Sequence, residues 1–154
     1  MTLVFAIGNP QRGDDGVAAD VCARIGQGDW KVIETMELMP EMAGDVAEAA
    51  QLVFVDADYR GGAASIAPLP PVACHPGPLT HSLRPCDLVS VARRLYGFKG
   101  PAWLLRVPGA DFGLGQPLSE TAKSNAAMAA QMLGDLLHGL APAAPDCKDN
   151  CGTV

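Results

Sequence analysis

Aromatic residues and positive charges are both scarce in this chain. Phenylalanine, tryptophan and tyrosine make up 5% of the 154 residues, so aliphatic side chains must fill most of the core. Eleven lysines and arginines stand against seventeen aspartates and glutamates, which gives a net charge of −6. A surface of this sign repels a phosphate backbone, so the composition argues against nucleic acid as a partner.

Long apolar runs are also missing. No stretch approaches the roughly 18 uncharged apolar residues that a membrane-spanning helix needs, and the opening "MTLVFAIG" is too short and lacks the basic leader of a secretory signal. The five cysteines are odd in number and scattered, which is not the pattern of a disulfide framework. We therefore expect a cytoplasmic protein with no membrane partner.

Several common motifs are absent as well. The loop "GNPQRG" (8–13) lacks the spacing of a dinucleotide-binding turn, and no Lys-Ser/Thr follows it as in a nucleotide-binding Walker loop. The chain has three histidines and no HExxH helix. A nucleotide cofactor and a conventional zinc-protease helix are therefore not indicated.

What is present is an apolar share of 49%, arranged in short runs that alternate with helical patterns. The strand-length runs are 2–7, 31–35, 51–57 and 102–107, with a weaker edge candidate at 64–69. The helical patterns span 16–26, 40–50, 85–96 and 118–139. This order predicts an α/β fold: a three-layer sandwich in which a mainly parallel, twisted sheet of about five strands has helices on both faces. We expect a single domain over 1–139 and a flexible tail over 140–154, which is rich in Pro, Asp and small residues.

Acidic residues follow three of the predicted strands. In an open α/β sheet, ligands bind beyond the carboxyl ends of the strands. The candidates at this edge are Asp14 and Asp15 after the first strand, Glu34 at the end of the second, Asp56 and Asp58 at the end of the third, and the loop histidines His75 and His81.

Clustered carboxylates raise one another's pKa, and a bound cation relieves this repulsion. Two carboxylates with one imidazole suit a borderline divalent metal such as zinc, iron or nickel. From the residues alone, the alternative remains that these acids only cap or solvate loop ends. Asp14 is well placed to cap the helix that begins near Gly16, and Asp58 is expected to be solvated.

Three blocks of the sequence resemble a known family, the nickel–iron hydrogenase maturation endopeptidases. "GNPQRGDDGVA" is similar to the GN…GDDG signature that opens these proteins, "LVFVDA" to their second strand-end Asp, and "THSL" to their loop histidine. The resemblance runs from about residue 3 to about residue 137. "ETMELMPEM" and "PAWLLRVPGADFGLGQPLS" resemble the branch that serves bidirectional or soluble hydrogenases, although Glu34 stands where several relatives have Asp.

The resemblance implies both an activity and a site. Family members remove a C-terminal extension from the hydrogenase large-subunit precursor after nickel insertion. Carried over to this chain, their nickel ligands are Asp15, Asp56 and His81, with Asp15 and Asp56 also the catalytic candidates. The nickel belongs to the substrate and marks it for recognition, so the protease itself arrives without metal.

Two other functions fit parts of the same pattern. A non-catalytic nickel carrier or assembly factor would use the same ligands but would leave the precursor uncut. A general metallo-aminopeptidase or amidase would act on small peptides, although the chain lacks conventional zinc ligands. A nucleophilic pair of Cys74 and His75, and a metal clip or disulfide of Cys147 and Cys151, are the weakest interpretations.

Overall fold

The structure is a computed structural model that describes residues 1–69 and 83–140. Its strands are β1 (Thr2–Ile7), β2 (Trp30–Thr35), β3 (Gln51–Asp58), β4 (Ser65–Pro68) and β5 (Ala102–Pro108). Its α-helices are α1 (Val17–Ala23), α2 (Ala43–Val46), α3 (Pro85–Tyr96) and α4 (Glu120–Leu137), and short 3-10 helices, Gly13–Gly16 and Pro40–Met42, precede α1 and α2.

The five strands form one sheet with the order β2-β1-β3-β5-β4. All neighbours are parallel except β4, which runs antiparallel to β5 at the edge. The chain moves outward from β1 to β2 and then returns to the other side of β1 as β3. Strand order therefore reverses between β1 and β3, and their carboxyl ends border the crevice where α/β proteins bind ligands.

Each face of the sheet is covered by its own core. On one face, strand residues such as Val4 and Val55 are buried beneath α1 and α4. On the other face, Phe5 and Phe54 stack with their ring centroids 5.4 Å apart, beneath α2 and α3. Alternate residues of β1 and β3 thus enter different cores, as parallel strands buried on both faces require. The predicted three-layer α/β sandwich is confirmed.

The strands match the sequence prediction better than the helices do. Each predicted strand is present within one or two residues, including the weak edge candidate, which is β4. The predicted helix 16–26 starts one residue later and ends at Ala23, before Gly26 takes a positive φ of 70°. The predicted helix 40–50 is a 3-10 turn followed by four α-helical residues.

Two further predictions concern the ends of the chain and the membrane. Residues 141–154 lie outside the described residues, so the boundary between a domain and a tail stays a prediction. Within 1–69 and 83–140, no helix has the length and apolar character to cross a membrane.

Candidate active site

The loop after β1 begins at Gly8, whose backbone lies against the backbone of Asp15 at the other end of the loop. Gly8 has a φ of +146°, and a Cβ at this position would overlap the carbonyl oxygen of Asp15. The Asn9 side-chain oxygen accepts the N–H of Gln11 at 3.0 Å, which fixes the turn. The 3-10 helix Gly13–Gly16 then carries two adjacent acids into different surroundings.

Asp14 is completely buried and accepts four hydrogen bonds. Its Oδ2 accepts the backbone N–H groups of Ala110 and Asp111, at 2.7 and 2.9 Å, and the hydroxyl of Ser119 at 2.5 Å. Its Oδ1 accepts the Ser119 N–H at 2.7 Å. Burial acts to raise the pKa of Asp14, but the hydrogen bonds from Asp111, Ser119 and Ala110 together outweigh it and lower the pKa below its usual value.

This arrangement corrects the prediction that Asp14 caps the first helix. Gly16 precedes α1 with no side-chain cap, so Asp14 does not serve it. Asp14 instead holds the loop between β5 and α4, and Ser119, which it binds, caps α4 by accepting the N–H of Ala122 at 3.1 Å. The role of Asp14 is therefore structural, and the residues that it binds lie about a hundred positions further along the chain.

Asp15 is half-buried at the mouth of the same loop. Its Oδ2 accepts the N–H of Asn9 at 2.7 Å, and its Oδ1 lies 3.4 Å from the hydroxyl of Tyr59. Each carboxylate oxygen thus has one donor and a remaining lone pair. A carboxylate fixed in this way is suited to metal coordination, because its orientation is set before the ion arrives.

Asp56 lies at the carboxyl end of β3, beside Ile7 in the register of β1. Burial raises its pKa, and the negative charges of Asp15 and Asp58 raise it further, to about 6, although a hydrogen bond from the Ala57 backbone acts in the opposite sense. Asp15 and Asp56 therefore lie close enough for their negative charges to repel each other. This is the electrostatic situation that a bound cation would relieve.

Tyr59 is a residue of this site that the sequence analysis missed. It is 68% exposed, its ring contacts Phe112 with centroids 4.0 Å apart, and its hydroxyl points to Asp15. Burial raises its pKa, and the charge of Asp15 and the hydrogen bond to it act in the same direction. Its position, one residue beyond β3, is a signal that could have suggested it.

The remaining acidic candidates, Asp58 and Glu34, have different surroundings. Asp58 is not simply solvated as predicted: its side chain is 14% exposed and binds Arg60 Nε at 3.1 Å. Glu34, in β2, lines a cavity of about 170 Å³ whose wall also includes Asp15. Glu34 is therefore next to the candidate site.

His81 lies outside the described residues, as do His75, Cys74, Cys147 and Cys151. Its assignment as the third metal ligand stays a prediction. Among residues 1–69 and 83–140 there is no group of three or more His, Cys, Asp and Glu side chains arranged to hold a metal ion. The described part of the chain supplies two carboxylates, which fits a site that needs further ligands from elsewhere.

An acidic crevice lies at the strand-order reversal of this five-stranded α/β sheet, and several solved structures with a similar fold are hydrogenase maturation proteases. The hydrogenase maturation protease HycI from Thermococcus kodakarensis KOD1 is 26% identical, with 89% of this chain and 92% of that chain covered and a TM-score of 0.65. The hydrogenase maturating endopeptidase HybD from E. coli is 19% identical, with 90% and 92% covered and a TM-score of 0.74.

The HybD maturation protease from Thermococcus kodakarensis is similar as well, at 17% identity and a TM-score of 0.67, with 88% and 98% of the two chains covered. No protein-family model and no curated protein matches the chain. The solved structures confirm the resemblance read from the three sequence blocks: the chain has the fold of the hydrogenase maturation proteases.

Proposed function

We propose that this protein is an endopeptidase that removes the C-terminal extension of a nickel–iron hydrogenase large-subunit precursor. The observation that carries the proposal is the pairing of Asp15 and Asp56 at the carboxyl ends of β1 and β3, in a fold shared with maturation proteases. The bidirectional-hydrogenase branch and a cytoplasmic location are parts of the same proposal, and they rest on the sequence alone.

The proposed nickel ligands are Asp15, Asp56 and His81. Nickel is part of the substrate here: the precursor presents it, and the protease supplies two carboxylates and an imidazole to the positions left open. Carboxylate and imidazole are suitable donors for a borderline divalent ion. Burial raises the pKa of Asp56, and the charge of Asp15 raises it further, which supports this assignment because an arriving cation would offset both effects.

The same acids provide a route for peptide hydrolysis. A metal ion polarises a nearby carbonyl or activates a water molecule, and a carboxylate takes the proton. Asp56, at the carboxyl end of β3, is assigned as the carboxylate that takes the proton. Asp15 is fixed by Asn9 and is better suited to orient the ion.

A cleavage assay with purified components tests the proposal. The wild-type protein should shorten a nickel-loaded precursor at its C-terminus and should leave a nickel-free precursor intact, as judged by intact-protein mass. The Asp15→Asn, Asp56→Asn and His81→Ala variants should each lose cleavage by at least about a hundredfold, because each removes a ligand or the base.

Circular dichroism of the three variants must match the wild type, so that a lost fold is not mistaken for a lost site. Asp45→Asn, at an exposed position on α2, is the control and should cleave normally. Full activity in all three site variants would refute the assignment. A wild-type protein that binds the nickel-loaded precursor without cutting it would instead be a nickel-dependent assembly factor.

A further inference from the structure

A cavity lies beside Asp15, and apart from Asp15 its lining residues have no role in the proposed hydrolysis. It has a volume of about 170 Å³ and opens where the first loop passes the ends of β1 and β2. We call it the Glu34 pocket; it is lined by Gly8, Pro10, Asp15, Ala19, Glu34 and Thr35, among others. A space of this size suits one side chain rather than a whole cofactor.

The walls of the Glu34 pocket combine apolar surface with negative charge. Ala6, Ile7 and Ala19 provide aliphatic surface, while Glu34 and Asp15 provide carboxylates. No lysine or arginine is among the described residues that line it. Within 1–69 and 83–140, the Glu34 carboxylate has no hydrogen bond or ion pair, so the folded chain does not neutralise it.

The two acids of the pocket have different tasks under the proposed function. Asp15 is assigned to nickel, and it already accepts the Asn9 N–H. Glu34 is the negative charge that remains. A protein substrate seated on this edge of the sheet would remove Glu34 from water, which is costly unless a positive partner arrives with the substrate.

We propose that the Glu34 pocket binds a positively charged side chain, arginine or lysine, from the precursor segment that carries the cleaved bond. This inference rests on the proposed function, and it adds a specificity determinant to it. The aliphatic stem of such a side chain would lie along Ile7 and Ala19 while its head reaches Glu34, as long basic side chains commonly do. A charge-assisted hydrogen bond to Glu34 would then select the basic residue.

A binding experiment on the complete chain tests the pocket without any need for cleavage. Butylguanidine and butylurea have nearly the same shape and differ in charge. In an NMR titration, butylguanidine should shift the amide signals of Gly8, Thr35 and Met36, and butylurea should bind at least about tenfold more weakly. Glu34→Gln should reduce butylguanidine binding to the level of butylurea.

Glu41→Gln, at an exposed acid outside the pocket, is the matched control and should bind butylguanidine like the wild type. Equal binding of the two compounds would show an apolar pocket and overturn the proposal, as would the absence of shifts at these residues. A loss of binding in both Glu variants would show a general charge effect and overturn it as well.

The cleavage assay provides the second test. Glu34→Gln should lower kcat/KM by about tenfold or more through a raised KM, while the requirement for nickel stays unchanged. Exchanging each basic precursor residue near the cleavage point for glutamate should reveal one that Glu34→Lys partly rescues. Wild-type kcat/KM in Glu34→Gln would overturn the pocket proposal, whereas a wild-type protein that cuts no precursor would overturn the proposed function.

Discussion

Asp56 is held in the folded chain in an environment that opposes its charge. Burial and the neighbouring charges of Asp15 and Asp58 raise its pKa from 3.8 to about 6. The carboxylate form is therefore less stable in the folded protein than in the unfolded chain. Such a site is understandable if its charge is needed only when a cation is bound.

The metal-free protein should therefore become more stable when Asp56 is neutralised. Below about pH 3 the Asp56 carboxyl group is protonated in both the folded and the unfolded state and contributes almost nothing to the pH dependence of stability. As the pH rises through 3.8 towards about 6, the unfolded chain releases this proton before the folded chain does, so stability falls, and above about 6 the loss is essentially complete. Asp56→Asn should raise the free energy of unfolding by about 1–3 kcal/mol at pH 7.5, measured by urea denaturation.

At about pH 3 the advantage of Asp56→Asn should nearly disappear, because Asp56 is then protonated in both the folded and the unfolded wild-type protein. Asp45→Asn, on the exposed side of α2, controls for the general effect of removing an acid and should change little at either pH. A variant that is less stable than the wild type at pH 7.5 would contradict the interpretation of Asp56 as a strained charge.

At the residue scale, site residues can be predicted from the sequence when the order of strands and helices places them at the same edge of the sheet. Asp15 and Asp56 could be predicted because Asp15 follows β1 and Asp56 lies at the end of β3, and the carboxyl ends of these buried parallel strands share one edge. The role of Asp14 could not be predicted. Its partners, Ala110, Asp111 and Ser119, lie 96–105 residues away, and nothing in local propensity reports such a contact.

At the scale of elements, Asp14 connects the first loop to the start of α4. Its oxygens satisfy three backbone N–H groups in the loop that leads into that helix. Gly109 faces Asp14 at close range, since a Cβ there would lie 2.5 Å from the Asp14 Cβ. A side chain at position 109 would therefore collide with Asp14, so this close packing requires a glycine there.

Asp14→Asn should loosen this connection. The amide would direct an N–H₂ group at backbone donors, leaving at least one buried donor without an acceptor, at a cost of about 1–3 kcal/mol. The lowered pKa of Asp14 makes its stabilisation complete above 3.8, and lost as the pH falls through the folded pKa. The difference from the wild type should thus be full at pH 7 and shrink in acid, as followed by thermal denaturation.

Hydrogen exchange should localise the effect of Asp14→Asn. Faster exchange is expected at the amides of Ala110, Asp111 and Ser119, while β1 and β3 stay protected. Asp20→Asn, which removes a surface partner of Arg24, is the control and should not change exchange in that loop. Unchanged exchange in Asp14→Asn would mean that Asp14 does not hold the loop.

Strands and helices differ in how well the sequence predicts their ends. The strands are short apolar runs bounded by glycine, proline or charge, so composition marks both ends. The predicted helix 40–50 is too long, because residues at helical spacing do not show where a helix ends. Its α-helical part covers only Ala43–Val46, which packs against α3, and Ala49 already belongs to the approach to β3.

At the scale of the whole molecule, one sheet divides the interior into two cores. Leu52 and Phe54 belong to the face under α2 and α3, whereas Trp30 and Trp103 pack against the core on the opposite face. The parallel order places the candidate acids Asp15 and Asp56 at one edge of the sheet, so the candidate site depends on both faces being intact. A domain of this size normally unfolds in a single cooperative step.

Leu52→Ala tests whether the two cores act as one unit. Leu52 is completely buried, so its truncation should cost about 2–5 kcal/mol. Because the tryptophans report on the opposite face, the fluorescence transition in urea should shift to lower concentration together with the circular dichroism transition. Leu95→Ala, at a side chain 72% exposed, should shift neither by more than about 0.5 kcal/mol. A circular dichroism transition that moves while the fluorescence transition stays would show that the two faces unfold separately, and the site at their shared edge would then lack a single folded support.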